Sequence, residues 1–182
     1  TAVDWQIGRE RVNPDLANGI GNTANRLLKM AAGTCDGVFP GLPAPGEREA
    51  RVRDAAIAAL DAARAVPGTL DVSAVVAAAR AAIAEVSLYL SDEAPWKLAK
   101  SEDTLPRARA VLAWSLEALR LVGLAVHPVL PRPFGALRIA LGASGELDFE
   151  REARVGAVAA GTPLGPPPNL FPRVPDDALP TG

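Results

Sequence analysis

The sequence is poor in the side chains from which most metal and enzyme sites are built. It has one cysteine, Cys35, and one histidine, His127, in 182 residues. A single cysteine excludes an internal disulfide. One cysteine and one histidine cannot form a cluster at metal-ligand spacing, so a structural zinc site is excluded. No base near Cys35 in the sequence would activate its thiol. His127 precedes a proline at the predicted end of a helix, where capping is the simpler role. We therefore expect no catalytic residue, no metal and no cofactor in this chain.

Basic charge and long apolar runs are also scarce. The chain has 19 Lys and Arg against 21 Asp and Glu, a formal net charge of −2. Domains that bind nucleic acid over a whole face are usually basic, so the composition leaves room only for a local binding patch. No run of 18 apolar residues is uninterrupted, and the N-terminus does not resemble a signal peptide. We expect no DNA partner, no membrane segment and a cytoplasmic location, which suits a single free cysteine.

Aromatic residues make up only 4% of the chain, whereas hydrophobic residues, many of them alanine, make up 49%. This balance favours closely packed helices over a sheet sandwich. We predict an all-α fold, an antiparallel helical bundle of about five helices with an extended Pro-rich C-terminal tail. The predicted helices cover about 5–32, 47–66, from 69 or 71 to 90, 104–126 and 134–142, with "VPGT" ending the second and "HPVLPRP" forming an elbow before the fifth. The composition changes at Ala143, which divides the chain into a bundle, 1–142, and a tail, 143–182, that packs on the bundle or on another domain.

The first predicted helix contains residues that lower its stability. "NPDLANGIGNTANR", residues 13–26, has four asparagines and two glycines, each costing roughly 0.5–1 kcal/mol relative to alanine in a helix. Amides and guanidinium groups are the side-chain groups that read the edges of bases, so these residues favour a contact with nucleic acid. The alternative is an ordinary solvent-exposed helix face. On a helical wheel one face holds Asn18, Asn22, Asn25, Arg26 and Lys29, and the opposite, apolar face holds Leu16, Ile20, Ala24, Leu27 and Ala31.

One tryptophan lies outside the helical patterns. Trp5 and Trp114 fit apolar helix faces, and we predict both to be core residues. Trp96 instead follows Pro95 in a break between two helices. An indole exposed at such a corner can stack on an unpaired base, an interaction worth roughly 1–3 kcal/mol. The alternative is an indole that closes the end of the bundle.

Four segments, in order along the chain, resemble the anticodon-binding region of class I methionyl-tRNA synthetases. They are "NPDLANGIGNTANR", "YLSDEAPWKLAK", "HPVLPRPFGALRIALG" and "NLFPRV", and the resemblance covers about residues 4–174. The family's specific positions correspond here to Asn13, Asp15, Leu16, Asn18, Asn22, Arg26, Pro95 and Trp96. The resemblance implies a module that recognises the CAU anticodon: Trp96 would stack on the first base, the cytosine, and Asn22 and Arg26 would hydrogen-bond base edges. Pro14 and Ser87 depart from the family's usual residues.

The resemblance also implies partners. The tRNA anticodon loop would be one, and a class I catalytic domain, in cis or in trans, would be the other. That domain, with its HIGH-like and KMSKS-like motifs, would precede residue 1 and hold ATP and methionine, so the present chain would support aminoacylation as part of a methionine-tRNA ligase without performing the chemistry. The "LFPRV" segment would return towards it. The alternative is a diverged stand-alone member of the family that serves protein–protein interaction rather than tRNA reading.

Overall fold

The structure, a computed structural model, describes residues 14–170. Its long helices are separated by short turns and one longer loop, and an isolated bridge between Val38 and Pro163 is the only β pairing within that range. The prediction of an all-α fold is confirmed. In chain order the helices are α1 (Pro14–Thr34), α2 (Glu47–Thr69), α3 (Val72–Glu93), α4 (Pro95–Leu98), α5 (Leu105–Val126), α6 (Pro131–Ala140) and α7 (Phe149–Glu152).

The four long helices, α1, α2, α3 and α5, alternate in direction. Only two residues join α2 to α3, so these helices are antiparallel neighbours. Side chains near the helix ends give the other directions. Tyr89, late in α3, and Arg107, early in α5, both contact Glu49 at the start of α2. Arg109 of α5 donates from Nε to the carbonyl oxygen of Thr34 at the end of α1, 2.9 Å away. Therefore α1 and α3 end where α2 and α5 begin.

Helix α5 is the central element of the bundle. Every residue from Val111 to Val126 is buried, and α5 contacts all six other helices. A helix that is hydrophobic around its whole circumference requires neighbours on every side, which explains its place. Its neighbours α2 and α3 present alanines towards the core, and small side chains shorten the distance between helix axes. These buried alanines are Ala56 and Ala59 of α2 and Ala79 and Ala82 of α3.

Three predicted helix boundaries are wrong: α3 ends at Glu93 rather than at 90, and proline chemistry explains the other two. Helix α2 continues through Pro67 to Thr69. The proline cannot donate to the preceding turn, but its distortion displaces little of the helix because only Gly68 and Thr69 follow it. The last turn closes when the amide of Leu70, in the left-handed conformation, donates to Val66 (2.7 Å). Helix α6 begins at Pro131, inside the predicted elbow, because proline is well suited to the first position of a helix.

The tail lies on the bundle as far as residue 170. It runs beside the loop between α1 and α2: Phe39 donates its amide to Thr162 (2.8 Å), and Gly161 donates to Phe39 (2.8 Å). Gly165 then donates to Ala140 of α6 (2.8 Å). Between residues 143 and 170 the tail contains the helical turn α7 and hydrogen-bonded turns at 154–157 and 159–162, and residues 164–169 have no regular secondary structure. The predicted extended tail is therefore found only in part of this range. The division between 1–142 and 143–182 stays a prediction. Trp5, Asn13 and the "FPRV" part of the closing segment lie outside the described residues.

The stretch Val72–Leu98, which spans α3 and α4, is long and apolar enough to cross a bilayer by length and composition. The core helix of a bundle has the same properties. Here Val75, Val86 and Leu90 are buried in the core cluster of the protein. Packing against the other helices accounts for these positions, and 33% of the most apolar window is buried.

Candidate nucleic-acid interface

Helix α1 has one buried face and one exposed face. The apolar side chains at helical spacing are almost fully buried: Ile20, Ala24, Leu27 and Ala31. The polar side chains predicted to lie opposite are exposed: Asn18, Asn22, Asn25, Arg26 and Lys29. From residue 18 onward, the wheel therefore describes the helix correctly. The asparagines that lower helix propensity form a solvent-facing surface rather than part of the core.

A sharp corner after α3 places Trp96 at the surface. Helix α3 is followed by Ala94, whose backbone is left-handed (φ 45°, ψ 61°), an uncommon conformation for alanine. Pro95 occupies the first position of α4 and is buried, and Trp96 follows with 39% of its surface exposed. The corner therefore buries the proline and leaves the indole partly open to solvent. An indole sealed inside the end of the bundle is not what the structure shows.

Helices α1 and α4 bring Arg26 and Trp96 together. The guanidinium carbon of Arg26 lies 4.7 Å from the centroid of the Trp96 ring, within the range of a cation–π interaction. Asn22 lies on the same exposed face, one helical turn before Arg26. Among the residues that the structure describes, no carboxylate pairs with Arg26, so its N–H donors remain available. The roles of Asn22, Arg26 and Trp96 in reading bases stay predictions.

A cluster of charged and polar side chains lies directly behind this corner. We call it the Glu93 cluster, and its members are Arg48, Glu49, Tyr89, Glu93 and Arg107. Arg107 pairs through Nη1 with Glu49 Oε1 (2.7 Å) and through Nη2 with Glu93 Oε2 (2.9 Å). Tyr89 donates its hydroxyl to Glu49 Oε1 (2.6 Å), and Arg48 pairs with Glu93 Oε1 (2.9 Å). Three helices, α2, α3 and α5, are thus joined beside Trp96.

Hydrogen bonding in this cluster controls the ionisation of Glu49. Burial alone would raise the pKa of its carboxyl group. Hydrogen bonds from Tyr89, from the backbone and from Arg107 outweigh burial and hold the pKa below its ordinary value. Burial and the bond to Glu49 raise the pKa of Tyr89, which therefore stays protonated and remains a donor. Glu49 is consequently a carboxylate at neutral pH, as its pairing with Arg107 requires.

Sequence reasoning missed the Glu93 cluster because its members come from separate segments. One local signal was available. Glu49 stands three residues after Gly46 and accepts its amide hydrogen bond (2.9 Å), as in a capping box at the start of a helix. That spacing predicts where α2 begins, but it carries no information about Tyr89 or Arg107.

A second ionic cluster, the tail clamp, lies away from the corner and consists of Glu117, Arg120, Arg138 and Glu152. Arg120 makes a two-pronged contact with Glu117, at 2.9 and 2.7 Å, and both side chains are almost fully buried. Arg120 also donates to the carbonyl oxygens of Glu152 and Arg154 in the tail. Arg138 of α6 pairs with the Glu152 carboxylate. These contacts bind the tail to α5 and α6.

The remaining candidate side chains offer little chemistry. Burial raises the pKa of the Cys35 thiol to about 11, so the unreactive thiol form predominates at neutral pH. His127 follows the last residue of α5, where burial and the nearby Arg138 lower its pKa. Within residues 14–170, no group of three or more potential metal ligands lies together. An open groove of about 600 Å³ beside residues 40–43 is lined mainly by proline, alanine and glycine.

Comparison with known proteins identifies the family to which this chain is similar. Residues 39–181 match the sequence profile of the anticodon binding domain of methionyl tRNA ligase. The methionine–tRNA ligase of Brucella melitensis is 34% identical over 163 residues, which are 90% of this chain and 31% of that protein. The enzyme of Mycobacterium tuberculosis is 36% identical over 183 residues, covering 94% of this chain and 33% of its own length. The chain spans about a third of the length of these relatives.

Solved structures agree with the sequence comparison. Mycobacterium tuberculosis methionyl-tRNA synthetase in complex with methionyl-adenylate matches 90% of this chain with a TM-score of 0.81 and 30% identity, over 32% of its own chain. Its apo form matches with the same TM-score over 91% of this chain. The chain belongs to the family of anticodon-binding domains of methionyl-tRNA ligases.

Proposed function

We propose that this domain recognises the CAU anticodon of methionine tRNAs as part of a methionine-tRNA ligase. The contact between Arg26 and Trp96 carries the proposal. These two side chains are far apart in the sequence, yet they share one exposed corner of the fold. An aromatic ring combined with unpaired hydrogen-bond donors is the combination with which proteins recognise splayed, single-stranded bases.

The proposed mechanism is discrimination by contact, without any bond being made or broken. The first anticodon base, cytosine, stacks on the exposed part of the Trp96 ring. Arg26, whose guanidinium already lies over the ring, hydrogen-bonds the edge of a neighbouring base. Asn22, one turn earlier, offers an amide that both donates and accepts. The guanidinium thus orders the indole in the free protein and contacts RNA in the complex.

The aminoacylation reaction itself requires more than this domain. In the proposed arrangement a class I catalytic domain, in cis or in trans, supplies the sites for ATP and methionine, and the present domain holds no cofactor. We place the protein in the cytoplasm, where translation takes place. Because cations are few, RNA binding weakens with salt less steeply than for a protein with a basic groove.

Binding of anticodon stem-loops tests the proposal. We expect the protein to bind a seven-nucleotide CAU loop at least about tenfold more tightly than a CAA loop, since a good base-edge contact discriminates by about 1–3 kcal/mol. The preference over a GAU loop should be smaller, because stacking on Trp96 tolerates either first base. Fluorescence anisotropy with labelled stem-loops measures both ratios. Equal affinity for all three loops would contradict tRNA reading and favour the alternative, a domain for protein–protein interaction.

A pair of arginine variants makes the test specific to the site. Arg26→Gln should reduce the preference for CAU. Arg64→Gln is the matched control because Arg64 is also exposed and also lies over an aromatic ring, that of Phe149, at 5.8 Å from its centroid. Arg64 lies near the end of α2, whereas the corner that carries Trp96 lies near the start of that helix. The loss of Arg64 should therefore leave the preference for CAU unchanged. Equal effects of the two variants would contradict a specific role for Arg26.

A further inference from the structure

We propose that Arg107 is a positioning residue for Trp96. It holds the end of α3 through Glu93, so that α4 presents the indole at the angle that base stacking requires. Arg107 is not among the residues proposed to touch RNA. The inference rests on the proposed function for its RNA measurement, whereas the position of the ring can be measured in the free protein.

Both carboxylate oxygens of Glu93, the last residue of α3, are held. Arg107 contacts Oε2 through Nε (3.0 Å) and Nη2 (2.9 Å), and Arg48 contacts Oε1 (2.9 Å). The planar guanidinium of Arg107 donates in a fixed fork, so its third contact, from Nη1 to Glu49, sets the orientation of the whole group. The end of α3 is therefore tied to both α2 and α5.

The backbone between Glu93 and Trp96 has little freedom to absorb a displacement. Ala94 is left-handed, and its amide donates to Leu90 (3.0 Å). The ring of Pro95 fixes its φ angle, and the residue is buried. A shift of Glu93 would consequently move Trp96.

The start of α5 also holds the far end of α4. Thr104, which precedes α5, donates its hydroxyl to the carbonyl oxygen of Leu98, 2.5 Å away. The start of α5 and the residue before it thus fix α4 from both sides, through Arg107 before the turn and through Thr104 after it. The Arg107 side chain is 41% exposed, so water partly screens its ion pair with Glu93, whereas its partner Glu49 is almost fully buried. Besides any contribution to stability, these contacts orient the turn that carries the indole.

The position of Trp96 can be followed by ¹⁹F NMR of the full chain labelled with 5-fluorotryptophan. Trp5, Trp96 and Trp114 each give one resonance, and Trp96→Phe identifies the one that matters. We expect Arg107→Gln to shift or broaden the Trp96 resonance, to leave that of Trp114 unchanged, and to weaken binding of the CAU stem-loop about tenfold, the scale expected for a small misplacement. Arg107→Lys, which keeps the charge, should recover part of the wild-type Trp96 resonance and part of the wild-type RNA affinity.

Two further variants control for folding. Arg64→Gln removes an arginine of similar side-chain exposure, 39%, that also contacts two carboxylates, so it should change neither the Trp96 resonance nor RNA affinity. Glu93→Gln keeps the side-chain shape and should reproduce the effect of Arg107→Gln if that variant folds poorly. An unchanged Trp96 resonance in both folded variants overturns the proposal. So does a shifted resonance with undiminished affinity. If the wild-type protein shows no preference for CAU, the proposed function fails, and the resonance alone tests the positioning.

Discussion

The tail clamp and the Glu93 cluster differ in how deeply their arginines are buried. In the tail clamp, the side chains of Arg120 and Glu117 are 5% and 1% exposed, and their hydrogen bonds fasten the tail to the bundle. In the Glu93 cluster, the Arg107 side chain is 41% exposed, although its partners Glu49 and Glu93 are 6% and 14% exposed. Breaking a pair in which both charges are buried leaves an uncompensated charge, whereas water partly screens a pair with one exposed partner. The tail clamp should therefore contribute more to stability, and in the Glu93 cluster binding can be altered at a smaller cost in stability.

The largest effect should come from the tail clamp. Arg120→Ala leaves the Glu117 carboxylate buried without its counter-charge, with the Gly156 amide still donating to it, and we expect a loss of about 3–5 kcal/mol in the free energy of unfolding. Urea denaturation followed by circular dichroism measures it. Affinity for the CAU stem-loop should be retained by the fraction that remains folded. A loss below about 1 kcal/mol, the range of surface ion pairs, would remove the contrast between the two clusters.

At the exposed corner, a substitution should weaken RNA binding more than it lowers the free energy of unfolding. Trp96→Ala should weaken binding of the CAU stem-loop by about 1–3 kcal/mol, the range for one base stacked on an aromatic ring. Because the ring is 39% exposed, the free energy of unfolding should change much less than for Arg120→Ala. A stability loss of about 3–5 kcal/mol would instead identify Trp96 as a core residue.

Acid should weaken the Glu93 cluster in a predictable direction. The pKa of Glu49 is lowered in the folded protein, so the stability that its ionised form contributes is present above the ordinary value of 4.5 and is lost as the pH falls through the folded-state pKa. The difference in unfolding free energy between the wild type and Glu49→Gln should therefore shrink below about pH 4.5. A difference that grows in acid would contradict the ionised state of Glu49.

The smallest effect concerns the cation–π contact in the free protein. A double-mutant cycle with Arg26→Gln and Trp96→Leu, which removes the aromatic ring, should give a coupling of about 0.5–1 kcal/mol in the free energy of unfolding. The corresponding cycle with Arg64→Gln and Trp96→Leu should give none, because Arg64 lies over Phe149 instead. Additive effects of Arg26→Gln and Trp96→Leu would mean that the guanidinium does not order the ring in solution.

The parts of the structure that were predictable are those with a local cause. The spacing of Ile20, Ala24 and Leu27 fixes which face of α1 is buried, and it leaves Asn22 and Arg26 on the other face. A proline before Trp96, in a break between helices, indicates a corner, but it leaves open whether the indole is exposed or closes the end of the bundle. The family resemblance is confirmed by profile and structure, whereas the roles it implies for Asn22 and Arg26 stay predictions.

The rest depends on contacts between distant segments. Glu49, Tyr89 and Arg107 each fit a helix pattern as ordinary surface or interface residues, and only the packing of α2, α3 and α5 brings them together. The same holds for Glu117 and Arg120, a pair of charges that α5 buries because the tail covers them. The end of α2 was misjudged for a different reason, since the cost of Pro67 depends on its place in the last turn.

Stacking of Trp96 on the first anticodon base can be tested by photocrosslinking. A CAU stem-loop carrying 5-iodocytidine at that position is irradiated in complex with the protein, and the crosslinked tryptic peptide is identified by mass spectrometry. We expect a crosslink to Trp96, within the peptide 81–97, that disappears in Trp96→Ala. A crosslink that maps outside this peptide, or one that persists in Trp96→Ala, would contradict this stacking.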